Sequence, residues 1–194
     1  LDSEYWAEFN LYLQQDQKWY FTLTDGTRME FRIVGINHDD RSWAQEDKGD
    51  IVKAGITMQA VGLLPKTYPM NETNTNEGGW KASALRANMN NADGEIYQLF
   101  MDLLPYVATA NKMTKNIAGS DTSIVQDTTP TATSDKLWVM SYGEHVGKYR
   151  SDTEGLTGEG TQYEYWKIVS NNGAWGIDTY EIATKYLTGT TSPS

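Results

Sequence analysis

The sequence predicts an α+β fold, a mixed sheet led by a β-hairpin with two or three short helices packed on it. Three observations carry that reading. Lys18 to Thr24 and Arg28 to Ile36 alternate apolar and polar residues on either side of Asp25-Gly26, a dipeptide suited to a turn that needs φ > 0. After Gly78-Gly79, Trp80 opens a helix in which Leu85 and Met89 follow on one face before Asn90-Asn91. Ile96, Leu99, Phe100, Leu103 and Leu104 then follow i, i+3, i+4, i+7, i+8, a stripe wide enough to face a core.

In chain order, Tyr5, Phe9, Tyr12 and Leu13 predict a short amphipathic helix over 5–15 behind a cap at Ser3. It either docks on the domain's flank or links to an upstream domain. In the hairpin, Trp19, Phe21 and Leu23 share one face, as do Met29, Phe31 and Ile33. Val34 and Ile36 add the other face, so that end of the return strand is expected to be covered on both sides. Asn37 leads into a polar loop running to about Lys53, and Ala54 to Val61 reads as a further strand. A loop with Pro65 and Pro69 delivers the Trp80–Asn90 helix. There Trp80 and Leu85 are expected to anchor a structural hub, with Arg86 pairing to a carboxylate or to helix-end carbonyls. The next helix starts after Asp93-Gly94 and is expected to stop at Pro105. Val107 to Lys115 reads as a strand, Asn116 to Ser134 as a Thr/Ser/Asp-rich loop, and Lys136 to Ser141 as a buried central strand. Tyr142 to Val146 reads as a helical turn. Thr161 to Ile168 is a short helix or an aromatic surface, and the pattern from Trp175 to Leu187 is mixed.

A length of 194 residues suits one core, with roughly 70% of the unfolded surface buried on folding. The expected division is an N-terminal helix or connector over 1–16, a single α+β domain over 17–187 and a polar tail over 188–194. The chain begins at Leu1 without a signal-peptide pattern, so a processed product or a fragment is expected. No apolar run reaches the roughly 20 residues that span a bilayer, and membrane insertion is not expected. The net charge of −10 and pI near 4.6, with cations scattered singly, argue against nucleic acid as a partner. Cysteine is absent, which removes disulfides, thiolate nucleophiles and Cys-ligated zinc together.

His38, Asp39 and Asp40 are candidate metal ligands. The site would take calcium together with Asp47 and Asp50, or else the Asp side chains bond the local backbone in a strand-end turn. No other cofactor is expected. No nucleophile elbow, zincin, P-loop or dinucleotide motif is present, and Gly155, Gly158 and Gly160 have the wrong order for a phosphate loop. No catalytic residue is assigned. Glu144-His145 is the best-placed polar pair for a carboxylate mechanism, with a solvated turn as the alternative. Seven Trp and twelve Tyr single out Tyr163, Tyr165, Trp166 and Trp175 as a contact surface, with packing as the alternative.

Gly79-Trp80, Ser83, Leu85-Arg86 and Met89-Asn90 together resemble the helix of an uncharacterised domain family of gut bacteria and their prophages. Other segments match that family in the same order: Asp25-Gly26, Ile36 to Asp40, Ala54 to Thr57, Tyr68 to Asn71, Ser134 to Trp138 and Glu159 to Tyr163. The match runs over about 17–168. The resemblance implies a layout similar to C-type-lectin-like and formylglycine-generating-enzyme-like domains. Strands resembling Trp-Trp-Leu-Arg-Ser-Pro and Gly-Val-Arg-Pro-Ala are missing before Ser194, so the layout is expected to be incomplete at its C-terminal end. With the aromatic excess and the lack of catalytic motifs, the resemblance points to a non-enzymatic binding or structural domain of a phage particle or bacterial surface protein, on a virion or extracellular. Its partners would be a protein or glycan on a cell surface, neighbouring virion subunits or copies of itself. A carbohydrate-active enzyme and a purely architectural virion component are the alternatives.

Overall fold

The computed structural model describes residues 17–42, 52–116, 129–147 and 158–169. Strand β1 (Lys18–Thr22) pairs antiparallel with β2 (Arg28–Ile36), placing Trp19 opposite Phe31 and Phe21 opposite Met29. Gly26 takes φ 86° in the connecting turn, a value that a side chain would strain. Asp25 Oδ1 accepts from the Thr27 amide at 2.8 Å and closes the turn from the other side. Strand β3 (Ile56–Ala60) pairs antiparallel with the far edge of β2. The register shifts there: Ile33 faces Met58 but Gly35 faces Thr57, so Val34 is the extra residue of a bulge. Such a bulge bends the strand and raises its twist.

The bend directs β2 into two cores. Its first half contributes Met29 and Phe31 to a cluster with Leu23, Ile96, Phe100 and Leu104, against which Leu85 and Met89 pack. Phe31 meets Phe21 and Phe100 edge-on, with ring centroids 5.3 and 6.3 Å away. Its second half puts Val34 into a cluster with Tyr163, Tyr165 and Trp166. Covering of that end on both faces is what the Val34 and Ile36 pattern predicts. Gly35 lets the backbone approach, since a Cβ there would lie 2.8 Å from the Tyr163 ring.

The helix expected from Trp80 to Asn90 is two: α1 (Gly79–Ala82) and α2 (Ala84–Asn90). Ser83 between them is extended (ψ 142°) and caps the second, its Oγ accepting from the Arg86 amide at 3.1 Å. The segment before it supplies the other partners. Asn71 Oδ1 takes the Ala84 amide at 3.1 Å, and the Met70 carbonyl takes the Leu85 amide at 3.0 Å. Helix α3 (Glu95–Leu99) ends before Pro105, which lies inside a 3₁₀ turn (Leu104–Tyr106) and is not its stop.

Strands β4 (Ala110–Thr114) and β5 (Thr131–Asp135) form a second antiparallel sheet. Two expectations are corrected here. Among the described residues both sheets are antiparallel, so the sheet is not mixed. The strand also lies at 131–135 and not at 136–141. The Lys136 and Leu137 amides are taken by Asn90 Oδ1 at 2.9 and 3.3 Å, while Asn90 Nδ2 donates to the Leu137 carbonyl at 2.8 Å. A helix side chain takes the place of a strand neighbour. The sheets meet beyond β2, where Arg41 bridges Ala110 and the Asn111 amide donates to the Asp40 carbonyl at 2.8 Å. Helices α4 (Tyr142–Val146) and α5 (Glu164–Val169) complete the order. The helix read at 5–15, the tail, Trp175 to Leu187 and most of the 43–53 loop lie outside the described residues.

Gly94 offers a test of the α2–α3 joint. Its φ of −71° suits any residue, but a Cβ would sit 2.0 Å from the Asn88 carbonyl oxygen. Gly94→Ala is expected to cost about 1–3 kcal/mol by overpacking. Gly55→Ala, with nothing within 4 Å of its new methyl, is expected to leave the thermal midpoint almost unchanged. Melting curves of the two variants decide.

Candidate functional site

Where the two sheets meet, five segments deliver polar side chains into one closed space. Asp39 follows β2, Thr57 lies on β3, Lys112 on β4, Glu144 on α4, and Tyr163 immediately precedes α5. Lys112 Nζ donates to Asp39 Oδ1 at 2.6 Å, to Glu144 Oε1, and to the Tyr163 hydroxyl at 3.1 Å. Tyr163 OH donates to the Asp39 carboxylate, 2.9 and 3.0 Å from its two oxygens, and Thr57 Oγ1 donates to Oδ2 at 2.5 Å. The Trp138 ring centroid lies 4.5 Å from Nζ, a cation–π contact inside the protein. Side-chain exposure is 8% for Lys112 and 4% each for Asp39 and Glu144, so the charges face one another and not water.

One ammonium between two carboxylates leaves an imbalance, and the environment resolves it. Burial pushes the Asp39 carboxyl up, but the Lys112 charge and the Lys112, Thr57 and Tyr163 hydrogen bonds together hold it below the usual carboxylate range. Burial pushes Glu144 up by more than Lys112 and the Ser141 amide pull it down. The two carboxyls therefore separate, Asp39 staying ionised opposite Lys112 while Glu144 takes a proton more readily. Burial and the two nearby acids push the Tyr163 hydroxyl far up, so it remains a donor. Glu144 is also fixed from its own helix. It forms a capping box with Ser141, its Oε2 accepting the Ser141 amide at 2.9 Å. Gly160 (φ 84°) leaves room beside it, since a Cβ would meet Glu144 Cγ at 2.9 Å. Glu159, next in chain to Gly160, is raised by burial while accepting the Lys115 amide at 2.7 Å.

No protein-family model, curated protein or solved structure matches this chain.

A second ionic group pins the helices. Arg86 finds its carboxylate in Asp135, with Nε and Nη2 both 2.8 Å from Oδ1. Asp135 is fully buried and also accepts from Trp80 Nε1 at 2.9 Å and Thr133 Oγ1 at 2.7 Å. Trp80 and Arg86 thus reach the same carboxylate from α1 and α2, and Leu85 packs against the first core.

The contact surface read from the aromatic excess is placed otherwise. Tyr163 and Trp166 have no exposed surface and Tyr165 has 2%. They are core residues, because α5 lies against β2 with its aromatic side inward. Trp175 lies outside the described residues. His38, Asp39 and Asp40 do not converge either. His38 Nδ1 lies 3.1 Å from Glu164 Oε1, Asp39 turns inward to Lys112, and Asp40 pairs with Lys53 at 2.5 Å. Among the described residues, no group of three His, Cys, Asp or Glu is placed to hold a metal ion, and Asp47 and Asp50 fall outside them. Glu144 is a buried group and not part of a solvated turn. Sequence reasoning missed Lys112, Thr57 and Asp135. The available signal was phase: Lys112 shares a face of β4 with Ala110, the small apolar residue that is buried at the sheet junction.

Two predictions follow from this geometry. Removing Arg86 strands a buried carboxylate, so Arg86→Ala should lose about 2–4 kcal/mol, below the fully buried limit because a quarter of Arg86 stays in water. Lys66→Ala breaks the exposed pair with Glu95 and should leave the denaturation midpoint nearly unchanged; denaturant titrations compare the two. His145 provides the pH test. Burial pushes its pKa down, against a hydrogen bond to the Ser141 backbone, and its Nε2 accepts from Gln59 Nε2 at 3.0 Å. As pH falls through about 6.5, the unfolded imidazole takes a proton that the folded one declines, so this group lowers stability. The stability difference between the wild-type chain and His145→Gln should therefore shift against the wild type between pH 7.5 and 5.5. A difference independent of pH would refute the assignment.

Proposed function

We propose that the chain is a non-enzymatic binding or structural domain of a phage particle or bacterial surface protein, serving receptor or host-surface recognition. The observation that carries this reading is the closure of the ionic groups. Lys112, Asp39 and Glu144 spend their hydrogen bonds on one another and on Tyr163, Thr57 and Ser141, with almost no surface left for a substrate. A general acid or nucleophile must reach the atoms that react. The same closure ties strands, helices and connecting segments into a rigid frame, which is what a recognition surface needs beneath it. The resemblance of Trp80 to Asn90 and the segments ordered around it to a gut-bacterial and prophage family supports the same setting. In that proposal the hairpin sheet, the α1–α2 hub and the β4–β5 sheet form a C-type-lectin-like layout. With Tyr163, Tyr165 and Trp166 inside, the exposed aromatic residues among those described include Tyr20, Tyr106 and Tyr142. The partner would be a protein or glycan on a cell surface.

One observation favours a second reading, a carbohydrate-active enzyme. Glu144 Oε2 and the Glu159 carbonyl both accept from Ser141, at 2.9 and 2.6 Å, and burial raises both carboxyls, a displacement that acid catalysis uses.

A labelled preparation of the chain, applied to a glycan array and to whole bacterial cells, tests the first reading beside a polysaccharide hydrolysis panel. Saturable binding without turnover is expected. Turnover that Glu144→Gln abolishes, with no binding to any surface, would establish the enzyme instead. Binding only to itself, seen as an oligomer in light scattering, would mark an architectural component.

A further inference from the structure

The Lys112 cluster holds more than an ion pair requires. A lysine Nζ lies 2.6 Å from an aspartate oxygen, a second carboxylate touches the same Nζ, two hydroxyls grip the aspartate, and two aromatic rings flank the amine. These are the parts needed to join an amine to a carboxyl. We propose that Lys112 and Asp39 form an intramolecular isopeptide bond, made by the folded chain itself with Glu144 as proton relay.

The step balances without any co-reactant. Lys112 passes one proton along its hydrogen bond to Asp39 Oδ1, giving a neutral amine beside a neutral acid. Nζ attacks Cγ and the C–N bond forms. The carbonyl electron pair moves onto Oδ2, where Thr57 Oγ1 (2.5 Å) and Tyr163 OH (3.0 Å) already donate, as an oxyanion site requires. Glu144 takes the surplus proton from nitrogen and returns it to Oδ1. The Cγ–Oδ1 bond breaks, Oδ1 leaves as water, and the carbonyl re-forms on Oδ2. An ammonium and a carboxylate become an amide and one water, nothing is oxidised or reduced, and Glu144 is restored.

Three features favour this outcome over a resting ion pair. Amide condensation is unfavourable between free groups in water, but groups held in contact reach effective molarities of about 10⁵–10⁸ M. Burial excludes the water that would reverse the step, and condensation removes two charges that are costly to bury. Burial also displaces the Glu144 carboxyl toward its protonated form, which suits a group that must accept a proton and give it back. The ionised Asp39 is the resting state, and the reaction leaves from its neutral tautomer.

Two other close pairs serve as internal controls. Arg86–Asp135 is also buried on the carboxylate side, but a guanidinium stays protonated and is no nucleophile. Lys66–Glu95 has the amine and the same 2.6 Å separation, yet both side chains are more than half exposed, so water competes.

Intact-mass measurement of the denatured 194-residue chain tests the proposal without any variant. The wild-type chain is expected to be lighter than its sequence mass by one water, and proteolysis should release a branched peptide joining residues 112 and 39. The Lys66 and Glu95 peptides should appear unlinked. Full sequence mass in the folded, purified chain overturns the proposal. So does a water loss that maps to a cyclic imide at Asp25 or Asp93, each of which precedes a glycine. Glu144→Gln, which can keep the capping box, is expected to retain the water and show no branched peptide; a linked Glu144→Gln chain removes Glu144 as the relay. Lys112→Arg, which preserves the charge, is expected to show full mass.

Discussion

The fold turns on a single lysine side chain. Lys112 reaches Asp39, Glu144 and Tyr163 at once, and those residues lie 73, 32 and 51 positions away in the chain. Neither sheet provides this alone: β4 contributes the lysine, the extension of β2 contributes the aspartate, and Thr57 of β3 orients it. Two helix-associated groups then close over the junction. The arrangement is stable only as a whole, because withdrawing one member leaves another buried and unmatched.

Asn90 plays a comparable part with neutral groups. Its amide reads both sides of the backbone at 136 and 137 as a neighbouring strand would, while Arg86 one turn earlier holds Asp135. The short α2 helix therefore grips the end of β5 at successive positions. Asn88, on the same helix, caps α3 by accepting the Ile96 amide at 2.7 Å. The asparagines of this segment are structural connectors, and Asn71 before it is engaged at both ends of its amide.

Local chemistry was legible in the sequence, and long-range partners were not. Alternation and the Asp25-Gly26 turn specify the hairpin because both act within a few residues. The apolar stripe from Ile96 to Leu104 gave its core contacts correctly, even though the α-helix itself stops at Leu99. Ser83 broke the expected helix because Asn71 and Met70 arrive from elsewhere to take the freed amides. Tyr163, Tyr165 and Trp166 look like surface aromatics until α5 is set against Val34 and Gly35. The phase of Lys112 with Ala110 marks its face of β4 but does not name the three acceptors that surround it. A lone charge in sequence carries no mark of the company it keeps.

The way the chain leaves and rejoins this frame has a consequence for variation. Before the interval 43–51 and after it, Arg41 and Val52 are joined by a backbone hydrogen bond of 2.8 Å. The interval 117–128 departs from β4 and returns to β5, whose paired ends include Thr114 opposite Thr131. The interval 148–157 lies between Ser141 and Glu159, joined at 2.6 Å. In each case described residues on the two sides are held together. Loop-closure entropy rises by only about 0.6 kcal/mol per doubling of length. What holds the charged junction in register is therefore the pairing of the described residues on either side of each interval, and the number of residues between them weighs little on the cost of bringing those ends together.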